Sequence, residues 1–190
     1  MTPKSKIDAN DLTYYGQFSR SGAKEGFGMV VSYEGHHFSG FFRDNLPNGE
    51  GRLVFNNGDV LIGIFKGCYV VGEAEIFYLA SETIYKGQFE KNMPHGEGQL
   101  FSVQGDAGYV GEWSCGLKHG YGTERWEDGT VFEGNFFEGE KHGNGKFSWP
   151  DGACYEGQFR HNSISGKGQH IWGDGRQYVG DWQDNKMHGK

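Results

Sequence analysis

Tyr109-Val110-Gly111-Glu112-Trp113-Ser114-Cys115-Gly116-Leu117-Lys118-His119-Gly120-Tyr121-Gly122 is the stretch whose reading decides the fold. Its first five residues run large, small, large on one parity, the pattern of a strand with one packed face. Residues 114–119 read as a loop, with glycine supplying the positive φ of a tight reversal. Gly120-Tyr121-Gly122 then opens a second strand. Trp126 stands four residues after Gly122, an even offset that keeps it on the glycine's own face. Asp128-Gly129 closes the unit with a hairpin signal.

The same unit returns along almost the whole chain. Its openings stand at Tyr14, Phe38, Leu61, Tyr85, Tyr109, Phe132, Tyr155 and Tyr178, steps of 23 or 24 residues. The later aromatic recurs as Phe55, Tyr78, Trp126, Trp149 and Trp172, and the closing turn as Asn57-Gly58, Asp128-Gly129, Asp151-Gly152 and Asp174-Gly175. A fixed period in this range marks an array in which each unit packs on its neighbours. The expected fold is all-β: an elongated, single-layer antiparallel β-hairpin repeat array, a twisted or curved rod. It occupies residues 14–190, with a partial eighth unit from 178, after a polar N-terminal tail over residues 1–13. Interior strand glycine weakens a sheet unless something lies close over the bare backbone. The opening rings are therefore expected to lie across the glycines of paired strands.

Composition bounds the function. Glycine is 34 of 190 residues, but it stands in register with 15 Phe, 10 Tyr and 5 Trp, and disordered chains lack such regularly placed aromatics. A net charge of -7 argues against nucleic acid, and gives weak support to anionic membranes as partners. Cys68, Cys115 and Cys154 are odd in number and show no metal-ligand spacing, which fits free thiols in a reducing compartment. Residues 1–12 lack the apolar stretch of a signal peptide, and no window approaches the ~18 apolar residues of a membrane span. A cytoplasmic protein is expected.

No catalytic constellation emerges. His95, His119, His142 and His188 recur at one repeat position, but ligands must converge on a metal at about 2 Å, whereas equivalent positions of stacked hairpins lie about 10 Å apart. They read as loop braces that hydrogen-bond nearby backbone. The Gly-x-Gly elements lack the helix and third glycine of a phosphate-binding loop. Asp128, Asp151 and Asp174 precede glycine, which is ordinary turn chemistry. No enzyme, metal or cofactor is expected. The aromatic row Phe55, Tyr78, Trp126, Trp149 and Trp172, with Tyr109, Trp113 and Trp182, carries two compatible readings. It is the packing layer of the ladder, and it is a candidate groove for an apolar helix or strand of a partner protein.

These residues resemble the MORN (membrane occupation and recognition nexus) repeat, which runs Tyr-x-Gly-x-Trp, a loop ending Gly-Lys-x-His-Gly, then x-Gly and a later Asp-Gly. The fifth unit matches it at Tyr109, Gly111, Trp113, Gly116, Lys118, His119, Gly120, Gly122, Asp128 and Gly129. Glu25, Val71 and Ser165 depart from it at the histidine position, and the third unit has Leu61 for the aromatic and Ala74 for a glycine. The resemblance implies a rod-like or curved hairpin ladder of the kind found in scaffolds of cilia, flagella, cell-division structures and membrane junctions. It equally implies the accessory arms of phosphoinositide kinases and lysine methyltransferases. The leading expectation is a non-catalytic scaffold of a cytoskeletal, ciliary or flagellar, or membrane-junction assembly. The alternatives are a regulatory arm of a larger enzyme and a phospholipid-binding module. Lys190 falls in mid-unit, where the pattern expects another strand. The readings there are a fragment of a longer protein, a naturally short chain, or an edge that pairs with a second copy as a homodimer.

Overall fold

Alternating large and small residues between glycine-containing reversals build hairpins, and every element of the described residues is a strand. The computed structural model describes residues 4–7 and 12–189. The chain divides into two units between Pro94 and His95. In the first, β1 (Lys4–Ile7), β2 (Thr13–Phe18), β3 (Lys24–Val31), β4 (His37–Arg43), β5 (Leu46–Val54), β6 (Val60–Lys66), β7 (Tyr69–Tyr78) and β8 (Thr83–Glu90) each pair antiparallel with the next. β1 lies within the segment read from the sequence as a polar tail, and pairs Lys4 with Gly16 and Ile7 with Thr13.

β9 (Met93–Ser102) lies in the second unit apart from its first two residues. It is followed by β10 (Gly108–Ser114), β11 (Leu117–Arg125), β12 (Val131–Phe137), β13 (Glu140–Ser148), β14 (Cys154–Arg160), β15 (Ser163–Ile171), β16 (Gln177–Gln183) and β17 (Lys186–His188). Each again pairs antiparallel with its successor. Each unit is an open, single-layer antiparallel sheet of hairpin repeats.

Two kinds of reversal alternate. Within the second repeat and the fourth to eighth, the turn has two residues with positive φ, such as Cys115 (50°) and Gly116 (82°), or His161 (48°) and Asn162 (64°). That is the type I′ geometry matching the strand twist. The loop expected over residues 114–119 is thus only the pair Cys115-Gly116, and β11 starts at Leu117, three residues before Gly120. The discrepancy is a bulge. Gly111 pairs with Gly122 but Trp113 pairs with Lys118, so β11 carries two extra residues and bends where Gly120 has φ 56°. Between repeats the turn is longer: Trp126 N–H donates to the Thr130 carbonyl at 3.0 Å, and Gly129 N–H to the Trp126 carbonyl at 2.9 Å. Gly129, at φ 85°, closes this loop as a left-handed residue.

The Gly-x-Gly signature therefore joins two unrelated demands. Its first glycine takes the positive φ of the bulge. Its second lies under a ring: a Cβ on Gly122 would stand 2.5 Å from Tyr109 Cε2 and Cζ, and one on Gly145 2.6 Å from Phe132 Cε2 and Cζ. The glycines line up across the strands, with Gly111 paired to Gly122, Gly122 to Gly134 and Gly134 to Gly145. The rings laid over them form the core. Tyr109 meets Trp113 edge-on at 5.3 Å and Phe136 of the next repeat at 5.0 Å; Phe132 meets Phe159 at 5.0 Å, and Tyr155 meets Trp182 at 5.3 Å. Tyr14 with Phe42 (5.1 Å) and Phe38 with Phe65 (4.9 Å) repeat this in the first unit. Each such pair adds about 0.5–1.5 kcal/mol beyond area burial.

The third repeat keeps the volume while changing the parts. Leu61 is shorter than a ring, and the freed space holds Ala74 Cβ and Val70 Cγ2, each 2.7 Å from where a Cβ on Gly63 would be.

Candidate functional site

The candidate residues separate by burial. Tyr109, Trp113 and Trp182 are 1%, 7% and 8% exposed, and belong to the sealed ring layer. Trp113 and Trp182 donate Nε1–H to the Gly98 and Gly168 carbonyls at 3.2 and 3.3 Å, and Tyr109 donates its hydroxyl to the Glu112 carbonyl at 2.9 Å. Burial, then the nearby carboxylates of Glu112, Glu97 and Glu124, push the Tyr109 phenol well above its ordinary value. These three side chains offer a partner almost no surface.

Phe55, Tyr78, Trp126, Trp149 and Trp172 are half-buried. Three of them come together in the second unit, because the long reversals place one indole at the mouth of each turn. Trp126 stacks on Phe147 at 5.3 Å and Phe147 on Trp149 at 5.1 Å, with interplanar angles of 19° and 18°. His170 bridges Trp149 (5.5 Å) to Trp172 (4.5 Å) edge-on. The result is a continuous aromatic belt, Trp126-Phe147-Trp149-His170-Trp172. Among the described residues the belt indoles make no hydrogen bond, and no buried side-chain nitrogen or oxygen lacks a partner. Phe55 and Tyr78 lie in the first unit, where Phe55 meets His36 edge-on at 6.0 Å.

Cations and carboxylates trim the belt. Arg176 lies over Trp172, its Cζ 5.6 Å from the ring centroid, and its Nε donates to Asp174 Oδ2 at 2.7 Å. Lys141 Nζ lies 4.8 Å from the Trp126 centroid and 5.3 Å from that of Phe132. It donates to Glu124 Oε2 at 2.6 Å, and Lys118 donates to Glu124 Oε1. Burial alone would raise the Glu124 carboxyl; the hydrogen bonds and charges of Lys118 and Lys141 outweigh it and hold the group below its ordinary value. No motif pointed to this triad. The signal was present, since Glu124 occupies the position facing the opening aromatic where other repeats carry Val30, Leu53 or Phe147.

The face opposite the rings differs between the units. In the first it carries Tyr15, Phe27, Phe41, Ile62 and Ile64, each close to half exposed, with Phe27 and Phe41 in contact at 5.7 Å. In the second it is hollowed over the glycine rows into an open cavity of about 700 Å³ where Tyr121 and Val179 stand beside Glu133, Asn135, Lys146, Glu156 and Lys167. The sequence reading followed the ring parity and passed over this face. Residues on the other parity, such as Phe27 and Phe41, were the available signal.

The recurrent histidines sit on strands, not in loops. His119 and His142 both pack against Phe137, at 5.4 and 6.0 Å, and His142 also meets His161 at 5.6 Å. Backbone carbonyls at this position are used: Tyr109 donates to that of His119 at 3.3 Å. Among the described residues no group of three or more His, Cys, Asp or Glu side chains is arranged to hold a metal.

The family model of the MORN repeat matches residues 38–60, 85–107, 109–131, 132–154, 155–175 and 178–190. Alsin of Homo sapiens and of Mus musculus are each 30% identical over 121 residues, 59% of this chain but only 7% of their own length. Among solved structures, the chain is similar to the TCP domain of SAS-4 (dCPAP) of Drosophila melanogaster, in complex with a proline-rich motif of Ana2. The TM-score is 0.48 at 12% identity, covering 93% of this chain and 88% of that one. The TCP10 domain of Danio rerio CPAP follows at TM-score 0.41 and 14% identity, with 94% of each chain covered.

Proposed function

This chain belongs to the MORN-repeat family, and from that premise we propose that it is a non-catalytic protein-interaction scaffold whose partner surface is the aromatic belt of the second unit. The observation that carries the reading is the half-buried run Trp126-Phe147-Trp149-His170-Trp172. Phe147 and His170 rest on the sealed ring layer, at Phe132 and Trp182, while the three indoles extend beyond it as half-buried aromatic surface. Indoles that present one apolar face and a free N–H are the side chains most enriched in interface hot spots. The assembly served is cytoskeletal, ciliary or flagellar, or at a membrane junction, and the protein works in the cytoplasm.

A second reading is favoured by one comparison. In Alsin the matched stretch is 7% of a much longer protein, which supports this array acting as a regulatory arm of a larger protein, such as a phosphoinositide kinase or lysine methyltransferase. Homodimerisation and phospholipid binding are further proposals for the same chain. Sedimentation with anionic vesicles at physiological salt tests the lipid reading, and protein left in the supernatant removes it.

The scaffold reading is tested by replacing the endogenous protein with a tagged wild type or the triple variant W126A/W149A/W172A, then extracting cells with mild detergent. Wild type in the detergent-resistant pellet and a folded variant in the supernatant support it. Equal partitioning of the two refutes the belt as the partner surface. A wild-type band much larger than a 190-residue chain, wholly soluble, moves the conclusion to the arm reading.

A further inference from the structure

Arg176 shows how this repeat takes up a guanidinium. The side chain lies over Trp172, its Nε donates to Asp174 Oδ2 at 2.7 Å, and Asp174 Oδ1 accepts the Arg176 backbone N–H at 3.1 Å. One repeat earlier the same turn is Trp149-Pro150-Asp151-Gly152-Ala153. Indole and carboxylate are both present, but a methyl group stands where Arg176 would be. Asp151 Oδ1 accepts the Ala153 backbone N–H at 2.9 Å, the counterpart of the Asp174 bond. Among the described residues Asp151 forms no ion pair.

The place the arginine would fill is open. A pocket of about 460 Å³ is bounded by Trp149, Trp172, Asp128, Asp151, Pro150 and His170. It combines indole walls with two carboxylates that form no ion pair among the described residues. Burial lowers the His170 pKa, partly opposed by Asp151, so the ring is neutral at pH 7 and adds no positive charge.

We propose that this pocket receives an arginine side chain from an extended segment of a partner protein, with the guanidinium on Trp149 and hydrogen-bonded to Asp151, as Arg176 is held by Trp172 and Asp174. Arginine fits better than lysine, because a planar fork can stack on an indole and bond a carboxylate at once. Ala153 and Thr130, which occupy the arginine position in the two preceding repeats, keep the pocket clear. The inference rests on the reading of the belt as partner surface.

The test uses the full chain, 15N-labelled, with its five tryptophan indole N–H signals resolved by NMR. N-acetyl-arginine amide is titrated to millimolar concentration, against N-acetyl-lysine amide, the neutral isostere N-acetyl-citrulline amide, and phosphocholine. Arginine is expected to shift the Trp149 and Trp172 indoles and leave Trp113 and Trp182 unmoved, with citrulline about tenfold weaker, since losing a charge-assisted bond costs on that order. D151N should weaken arginine binding to the same degree. A153R, which supplies the guanidinium from within, should abolish it while the remaining signals stay in place. Equal shifts with citrulline, shifts spread over all five indoles, or undiminished binding by D151N overturn the proposal. A stronger shift with phosphocholine also overturns it, in favour of a lipid headgroup. If D151N and A153R stay in the detergent-resistant pellet while W126A/W149A/W172A does not, the scaffold reading stands and the arginine pocket falls.

Discussion

Gly122→Ala is the sharpest probe of the ring-on-glycine core. The added methyl would stand 2.5 Å from Tyr109 Cε2 and Cζ, where ordinary contact needs about 1 Å more. Tyr109 cannot retreat without loss. It is 1% exposed, meets Trp113 at 5.3 Å and Phe136 at 5.0 Å, and donates its hydroxyl to the Glu112 carbonyl at 2.9 Å. Disturbing the two ring contacts costs about 0.5–1.5 kcal/mol each, and weakening the hydrogen bond about 1 kcal/mol. A loss of roughly 2–4 kcal/mol follows, a large share of the ~5–15 kcal/mol typical of a domain. Gly152→Ala is the control: its φ is 85° but nothing lies within 4 Å of an added Cβ, so only the left-handed penalty of about 1–2 kcal/mol applies. The assay is urea unfolding followed by tryptophan fluorescence, with hydrogen exchange to localise the change, since arrays can unfold repeat by repeat. The third repeat supplies the decisive variant. There Leu61 and Ala74 replace ring and glycine together, so Y109L/G122A should recover part of what G122A loses. A G122A midpoint no lower than that of G152A, or a double variant whose losses simply add, would refute the reasoning.

Three further outcomes are expected. Glu124→Leu leaves Lys118 and Lys141 unpaired among rings and should cost about 3–5 kcal/mol, as breaking a buried ion cluster does. Because the folded Glu124 pKa lies below 4.5, its contribution is present above that value and fades as pH falls through the folded pKa, so the wild-type advantage over E124Q should shrink in acid-dependent melting. Asn162→Ala removes a residue at φ 64° whose Oδ1 accepts the Lys141 N–H at 2.9 Å; a loss of about 1–2 kcal/mol and faster exchange of the Lys141 amide are expected, with N162G milder because it keeps the conformation. Burial pushes the Tyr155 phenol up to about 12, against the opposing effect of a backbone hydrogen bond of Gln158. A raised folded pKa means its stabilisation holds below the unfolded value near 10 and is lost as pH rises through the folded one. Absorbance titration at alkaline pH should therefore show Tyr155 ionising only near pH 12, or together with unfolding.

What the sequence disclosed follows from which forces are local. The period, the strand parity and the packing role of Gly122 were legible, because a ring and the glycine beneath it recur at fixed offsets. The start of β11 at Leu117 was not, since a bulge at Gly120 stretches a strand without altering the motif. The clasp of Asn162 on Lys141 joins residues 21 apart, and Asn also reads as an ordinary turn residue. The candidate site was half legible. Trp126, Trp149 and Trp172 were found by their offset, but the bridging roles of Phe147 and His170 depend on neighbouring strands. Tyr109, Trp113 and Trp182 could not be told from surface aromatics, because what covers them comes from neighbouring repeats: Phe136 over Tyr109, the Gly98 strand at Trp113, Tyr155 at Trp182.

That covering has a consequence for synthesis. The ring that opens one repeat is closed by a ring from the next: Tyr109 by Phe136, Phe132 by Phe159, Tyr155 by Trp182. A repeat leaving the ribosome therefore stays wet on one side until about one further period has been translated, an interval of roughly 1–5 s at ~5–20 residues per second. The nascent chain always trails one unsealed aromatic step, and that step moves down the sequence in time with elongation.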